Sequence, residues 1–379
     1  MKKCVIFPAS MKNVGLLYHF TELAIAFYKS FKDEHLIDFF LISEAGEQNP
    51  GLWDKIYNNI PKDNIFVFDN SADFVPFVRD KLESQKYSDV IYLTQGIMQF
   101  VNVIGLKRKH KDKLWLYTRL NSFKHGTKYR GPLTFFLSII FKKYANFVNF
   151  QCESTVRIFC NSISLFKAGK AGIIPLGLSN EKDISPNDLN LVNLLNDSDS
   201  KCVVYLANFH SHKRQGDLIN FMGSFLKNDE NIHLLLLGEG KCLEKCKNQA
   251  LELDLSRQIH FPGRLDRKYI PFVLRRADLA VVFSKVETFG HNILEPLFYG
   301  TPVVSSNVGI ASDVIKDFRN GAVLCSSSHE EFKVKVEPFL IKRKKTTHTS
   351  SEVFAQSAYS WDAIVVQYKN IFEMIGTPS

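Results

Sequence analysis

The 379-residue sequence carries 48 Lys and Arg against 39 Asp and Glu, a formal net charge of +9, and is 45% hydrophobic with 32 Phe. That balance buries enough apolar surface to offset chain entropy, which excludes a disordered or low-complexity protein. The length exceeds the roughly 250–300 residues at which a single core stops growing, so two domains are expected. No apolar run approaches the roughly 20 residues that cross a bilayer. Seven scattered cysteines, an odd number, point to reduced thiols and a cytoplasmic setting.

In chain order, the apolar start around Cys4-Val5-Ile6-Phe7 is too short for a signal peptide and reads as a first strand, 4–7. Short β-branched or aromatic runs predict further strands at 37–42, 65–68, 90–93, 114–117, 157–160 and 173–176, with helical spacing at 21–31 and 73–82. Residues 179–200, rich in Asn, Asp and Ser, read as a domain junction holding one short helix. Strands are then expected at 202–206, 233–237, 258–261, 279–283, 302–305 and 322–325, and a long terminal helix over 351–375. Alternation of this kind predicts parallel α/β sheets, one per domain. Ligands of such sheets bind outside the carboxyl ends of the strands. The loops near Gly15 and Arg119 are therefore expected to work with those near Lys213 and Glu287.

Charge is uneven along the chain. Residues 101–150 hold eleven basic side chains and one acid, Asp112, so this window nets +10 and the remainder −1. Such a surface attracts something anionic. An apolar, Phe-rich segment at 133–141 sits among these basic groups. It is too short to span, but a basic helix of this kind can lie on an anionic leaflet. Nucleic acid is not an expected partner, because no recognised module and no aromatic-lined strand face accompanies the charge.

The densest chemistry lies at Ser284-Lys285-Val286-Glu287-Thr288-Phe289-Gly290-His291-Asn292-Ile293-Leu294-Glu295. A strand runs into a Gly-containing loop that opens a helix near Asn292, and backbone N–H groups of Gly290, His291, Asn292 and Ile293 would face an anion such as a diphosphate. Glu295, in the first turn, suits a ribose diol, and Glu287 a second polyhydroxylated group. Asn292 and Glu295 equally fit a capping box that needs no ligand. An earlier strand ends in a loop carrying Lys213 and Arg214, where a lysine could neutralise a departing diphosphate. Gly238-Glu239-Gly240 falls short of the dinucleotide fingerprint, so a nicotinamide cofactor is not expected.

In order and spacing, Asn208…Lys213, Gly238-Glu239-Gly240, Phe261-Pro262-Gly263, Ala277-Asp278-Leu279, Ser284-x-x-Glu287-x-Phe289-Gly290-x-x-x-x-Glu295, Gly300-Thr301-Pro302-Val303-Val304 and Gly309 resemble the retaining glycosyltransferase family four. The resemblance covers about residues 200–330 and is looser in the first half. It implies the GT-B fold, two Rossmann-like domains with parallel sheets facing across a cleft. Residues 1–178 would bind the acceptor, 179–352 the nucleotide sugar, and 353–379 would return to the first domain.

By the same resemblance Lys213 meets the diphosphate and Glu287 the transferred sugar. Asn208 stands where many members carry an arginine, with Arg214 as a substitute. Glu295 takes the ribose, the Gly290–Ile293 backbone the diphosphate, and Gly263 and Arg264 lie beside the base. In the first domain only Gly15 matches a Gly-Gly turn, and Arg119 and His125 are the candidates to touch acceptor or donor. The reaction implied moves a hexose or N-acetylhexosamine from a nucleotide-diphospho-sugar, uridine preferred over guanosine. Its acceptor would be a hydroxyl of a lipid-linked glycan or of a lipopolysaccharide or capsule precursor. No cofactor and no metal are expected, and membrane contact would be peripheral. Alternatives are a nucleotide-sugar epimerase of the same fold, which the Glu287/Glu295 motif disfavours, and a non-enzymatic basic protein that binds membrane or nucleic acid.

Overall fold

Parallel strands covered on both faces read as continuous apolar runs, and such runs form two all-parallel sheets. A computed structural model of the chain describes residues 2–10, 14–33, 36–42, 50–68, 73–94, 97–119, 132–159, 162–316, 320–326, 328–341 and 349–374. The first sheet comprises β1 (Lys2–Ser10), β2 (Leu36–Ile42), β3 (Ile65–Phe68), β4 (Tyr87–Thr94), β5 (Leu114–Arg119), β6 (Phe147–Phe150) and β7 (Ala171–Ile173). Its strand order is β3-β2-β1-β4-β5-β6-β7. The second comprises β8 (Lys201–Leu206), β9 (Ile232–Leu237), β10 (Ile259–Gly263), β11 (Leu279–Val282), β12 (Val303–Ser306) and β13 (Gly321–Leu324), in the order β10-β9-β8-β11-β12-β13. Strand order reverses at the β1/β4 pair in the first sheet and at the β8/β11 pair in the second. These are the switch points where open parallel sheets accept ligands.

The chain divides into two units, Met1–Ser179 with Tyr359–Ser379, and Asn180–Ala358. Residues 180–200 thus belong to the second unit, where the short helix Leu189–Asn196 starts at Asp188, whose carboxylate accepts from the amides of Asn190 and Leu191. The terminal segment is two helices, Thr349–Tyr359 and Trp361–Met374, where one was expected. They break at Ser360, which bridges to Leu178, while the Leu178 amide donates to the Tyr359 carbonyl at 2.8 Å. The last helix packs on Val14–Phe31 through Tyr368 and Phe372 against Phe27 and Phe31.

In the first half one further expectation fails, and one strand carries no signal in the sequence. Of the expected strand 157–160, residues 157–159 fall in and after the helix Glu153–Ile158, and residue 160 lies outside the described residues. Thr155 starts that helix: its hydroxyl oxygen accepts from the Cys152 amide (3.2 Å) and donates back to the Cys152 carbonyl (2.6 Å). The strand β6 went unread because Asn149 interrupts a short run. The structure satisfies that buried amide through Ile174 N–H (2.8 Å), the Ile174 carbonyl and Tyr368 Oη.

Candidate active site

Two loops leave the carboxyl ends of β8 and β11 at the second sheet's switch point, and the chain ties them together. The Lys285 amide donates to the His212 carbonyl at 2.7 Å. The Tyr205 hydroxyl donates to the Lys213 carbonyl (3.0 Å) and lies 2.7 Å from Ser284 Oγ. Burial holds the Tyr205 phenol well above its ordinary value, so it stays a neutral donor. Buried Gln215 donates to the Asn208 carbonyl at 3.1 Å. Gly238 and Gly240 explain the Gly-x-Gly: at φ 143 and 147, a Cβ on either would fall 2.3 Å from the Ala207 oxygen or 2.5 Å from the Phe209 oxygen. They let neighbouring loops touch.

This scaffold brings Lys213 and Glu287 together. Lys213 Nζ lies 2.5 Å from Glu287 Oε1, which also accepts from Ser284 Oγ (2.7 Å) and Asn292 Nδ2 (3.1 Å). Glu287 is only 8% exposed. All three bonds fall on Oε1, and among the described residues none donates to Oε2. The three donors thereby hold the carboxylate by its Oε1. Gly309 supports the loop from behind: at φ 53 its absent Cβ would sit 2.3 Å from the Phe289 oxygen, and the Ile310 amide donates to that oxygen at 2.7 Å.

The helix after this loop spans His291–Phe298 and is capped by Gly290 in the left-handed region, φ 92. It begins one residue before the expected Asn292, which places Glu295 in the second turn and removes the capping-box reading. The Asn292 side chain bonds Glu287 instead. The Ile293 amide is already engaged by the Gly290 carbonyl at 2.9 Å, which takes it out of the expected anion-binding set. Glu295 is 5% exposed, and its Oε1 accepts from Arg267 Nη2. Arg267 comes from the turn Arg267–Tyr269 after β10; neither it nor Tyr205 carried a signal in the sequence.

The other candidates are distributed as follows. Arg214, at φ 57, donates to Asp217 (2.6 Å) and lies 4.6 Å from the Phe283 ring centroid, so it is engaged there. Asn208 and Arg264 are exposed, and His291 packs edge-on to the Phe289 ring. Gly263 has φ 77 with open space where a Cβ would stand. In the first unit Gly15 lies in the helix Val14–Phe31 and Arg119 ends β5, while His125 lies outside the described residues. Two of the basic side chains at 101–150 are structural. Lys107 Nζ donates to the Lys111 (2.7 Å) and Leu114 carbonyls, and burial lowers its ammonium to about 8. Lys113 Nζ donates to the Leu82 and Ser84 carbonyls. Arg108, Lys109, Lys111, Lys142 and Lys143 are exposed.

Residues 188–357 match the family model described as glycosyl transferases group 1. That match covers nearly all of the second unit, Asn180–Ala358. An uncharacterised glycosyltransferase of Methanocaldococcus jannaschii is 24% identical over 198 residues, 52% of this chain and 54% of that protein. The chain spans about half the length of the curated relatives it matches. Among solved structures, a lipopolysaccharide outer core galactosyltransferase, WaaB, is similar at TM-score 0.70 and 14% identity over 99% of both chains. Anabaena HepE in complex with UDP and glucose is similar at TM-score 0.69 and 18% identity, over 98% of this chain and 99% of that one. These likenesses establish the fold, two Rossmann-like domains of the GT-B type. In the second unit Glu287 lies on the loop after β11 and Glu295 on the helix that follows, held by Lys213 from the loop after β8 and by Arg267 from the turn after β10. Among the described residues no group of three or more His, Cys, Asp or Glu is placed to hold a metal, and no helix is long and apolar enough to cross a membrane.

Proposed function

We propose that this protein is a retaining glycosyltransferase that moves a hexose or N-acetylhexosamine from a UDP-sugar to a hydroxyl of a lipid-linked glycan or lipopolysaccharide precursor. The observation that carries the reading is the matched state of the two buried glutamates. Each has Oε1 held by a cation from a neighbouring loop, Lys213 for Glu287 and Arg267 for Glu295. Each leaves Oε2 without a donor among the described residues. Two oriented acceptors beside basic groups suit a ligand that is polyhydroxylated at two places and anionic between them. Uridine is favoured because HepE, of similar fold, was solved with UDP.

On this reading Glu295 accepts from the ribose and Glu287 from the transferred sugar. The amides of Gly290, His291 and Asn292 lie toward the diphosphate, and Gly263 and Arg264 flank the base. Lys213 neutralises Glu287 until the diphosphate competes for it. The bond from the anomeric carbon to the β-phosphate oxygen then breaks, and the acceptor oxygen bonds that carbon on the same face. The acceptor's proton passes to the leaving phosphate oxygen. Lys213 and the helix N-terminus stabilise the charge that develops, which is the largest electrostatic contribution such a site can make. From the first unit we assign Gly15 to the donor on the resemblance, and Arg119 and His125 to acceptor or donor on their place in the sequence after the 114–117 strand.

A lipid-borne acceptor is supported by the helix Pro132–Tyr144, which exposes Phe136 (60%) and Ile139 (48%) one turn before exposed Lys142 and Lys143. Apolar side chains backed by lysines suit a peripheral seat on an anionic cytoplasmic leaflet. Titration calorimetry with UDP, GDP, CDP, ADP and NAD tests the donor half. One nucleoside diphosphate should bind and NAD should not; no binding by any diphosphate at millimolar concentration would overturn the reading.

A further inference from the structure

We infer that Arg267 is a positioning residue for nucleotide recognition: by clamping Oε1 of Glu295 it aims Oε2 at the ribose diol. The inference rests on the assignment of Glu295 to the ribose. A carboxylate as deeply buried as Glu295 is costly without a charged, hydrogen-bonding partner. Several basic side chains lie nearby in sequence, and they are directed elsewhere. Lys268 is half exposed and pairs with Asp266 at 3.5 Å. Arg264 is exposed. Arg275 lies 4.9 Å from the Tyr299 ring centroid and donates to Asn180, and Arg276 reaches Asp183 and Asn196. Arg267 alone among these bonds Glu295.

The backbone holds Arg267 in that direction. The Tyr269 amide closes the turn on the Asp266 carbonyl at 2.9 Å. Successive residues of such a tight turn project to different sides, so Lys268 faces out while Arg267 reaches Glu295. The helix that follows, Ile270–Arg276, has Pro271 in its first turn and buries Phe272, Val273 and Leu274. Thr301 donates to the Leu274 carbonyl and fixes that helix beside the one carrying Glu295. On the far side, the Tyr299 amide donates to the Glu295 backbone carbonyl at 3.1 Å. Burial pushes the Tyr299 phenol up to about 12, so it brings no negative charge to compete for the guanidinium.

Arginine matters here beyond its charge. A guanidinium presents its N–H donors in a fixed planar arrangement, whereas an ammonium is a point charge on a flexible stem. Glu287 reaches the same end by another route, with Lys213, Ser284 and Asn292 converging on one oxygen. Glu295 has the arginine in place of that trio.

The test compares UDP with 2′-deoxy-UDP, and GDP with 2′-deoxy-GDP, by titration calorimetry on the full chain and on Arg267→Met and Arg267→Lys. The wild-type protein should prefer the ribonucleotide by tenfold or more. Arg267→Met should bring that preference to within twofold while leaving affinity for the deoxy form unchanged, and Arg267→Lys should recover only part of it. An undiminished preference in Arg267→Met overturns the inference, as does an equal loss of affinity for both forms, which would make Arg267 a phosphate contact. A wild-type protein that binds nucleoside diphosphates without preferring ribose overturns the Glu295 assignment itself. If Arg267→Met does not fold, the same comparison on Arg267→Lys decides.

Discussion

The pair between Lys213 and Glu287 gives the most quantitative expectation. Replacing Lys213 by Met leaves a nearly buried carboxylate, 9% exposed in its side chain, with only the neutral donors Ser284 and Asn292. Breaking a buried pair by removing one partner costs about 3–5 kcal/mol. The surviving hydrogen bonds and the 15% exposure of the lysine side chain place this case at the lower end, ~3 kcal/mol. At about 2–4 °C per kcal/mol for a domain of this size, the second unit should melt ~6–12 °C lower. Glu287→Gln keeps the shape and frees Lys213 for phosphate, so it should lose less stability and bind UDP more tightly, although it cannot support transfer. The double variant removes both charges and should recover about 2 kcal/mol relative to the sum of the single losses. Calorimetric melts of the four proteins, with UDP titrations on each, measure these quantities. Additivity to within ~0.5 kcal/mol would show that the pair is not made in solution. A weaker UDP complex for Glu287→Gln would show that Glu287 does not compete with phosphate for the lysine.

Gly309→Ala should destabilise the second unit by ~2 kcal/mol or more and weaken UDP binding, because the new Cβ meets the Phe289 oxygen and the chain is held at φ 53; an unchanged melting temperature would contradict this. His260 supplies a pH test: burial first, then neighbouring His233, lowers its imidazole from 6.5 to about 4. The unfolded chain binds a proton that the folded one refuses, so stability falls as pH drops from 6.5 toward 4, by ~2 kcal/mol once partial exposure is allowed for. His260→Gln should flatten that part of the melting profile, and identical profiles for both proteins would refute the shift. Phe136→Ser combined with Lys142→Glu and Lys143→Glu should abolish sedimentation with phosphatidylglycerol vesicles at low salt while leaving UDP affinity unchanged. Equal sedimentation of variant and wild type would remove that helix from the membrane account.

The second sheet was legible because its strands are buried on both faces and show as apolar runs such as Leu234-Leu235-Leu236-Leu237. The first half was less so where a polar group works inside the core. Asn149 hid β6, and the Thr155 start turned an apolar run into helix. The candidate site was readable as motifs, but the pairing of Lys213 with Glu287 joins residues 74 positions apart, and only the strand order β8-β11 brings them together. Arg267 lies in an aperiodic turn, where nothing in the sequence separates it from Arg264 or Lys268. Lys107 and Lys113 read as part of a charged surface because a sequence does not distinguish a solvated ammonium from one that caps carbonyls.

Transfer itself is the most direct measurement. UDP-glucose, UDP-galactose, UDP-N-acetylglucosamine and GDP-mannose, each labelled with carbon-13 at the anomeric carbon, would be incubated with the protein and a bacterial lipid extract. The account predicts that label from one UDP-sugar enters the lipid phase with its anomeric configuration unchanged, and that Glu287→Gln transfers none. Label that stays in the aqueous phase with every donor, or a product of inverted configuration, would contradict it.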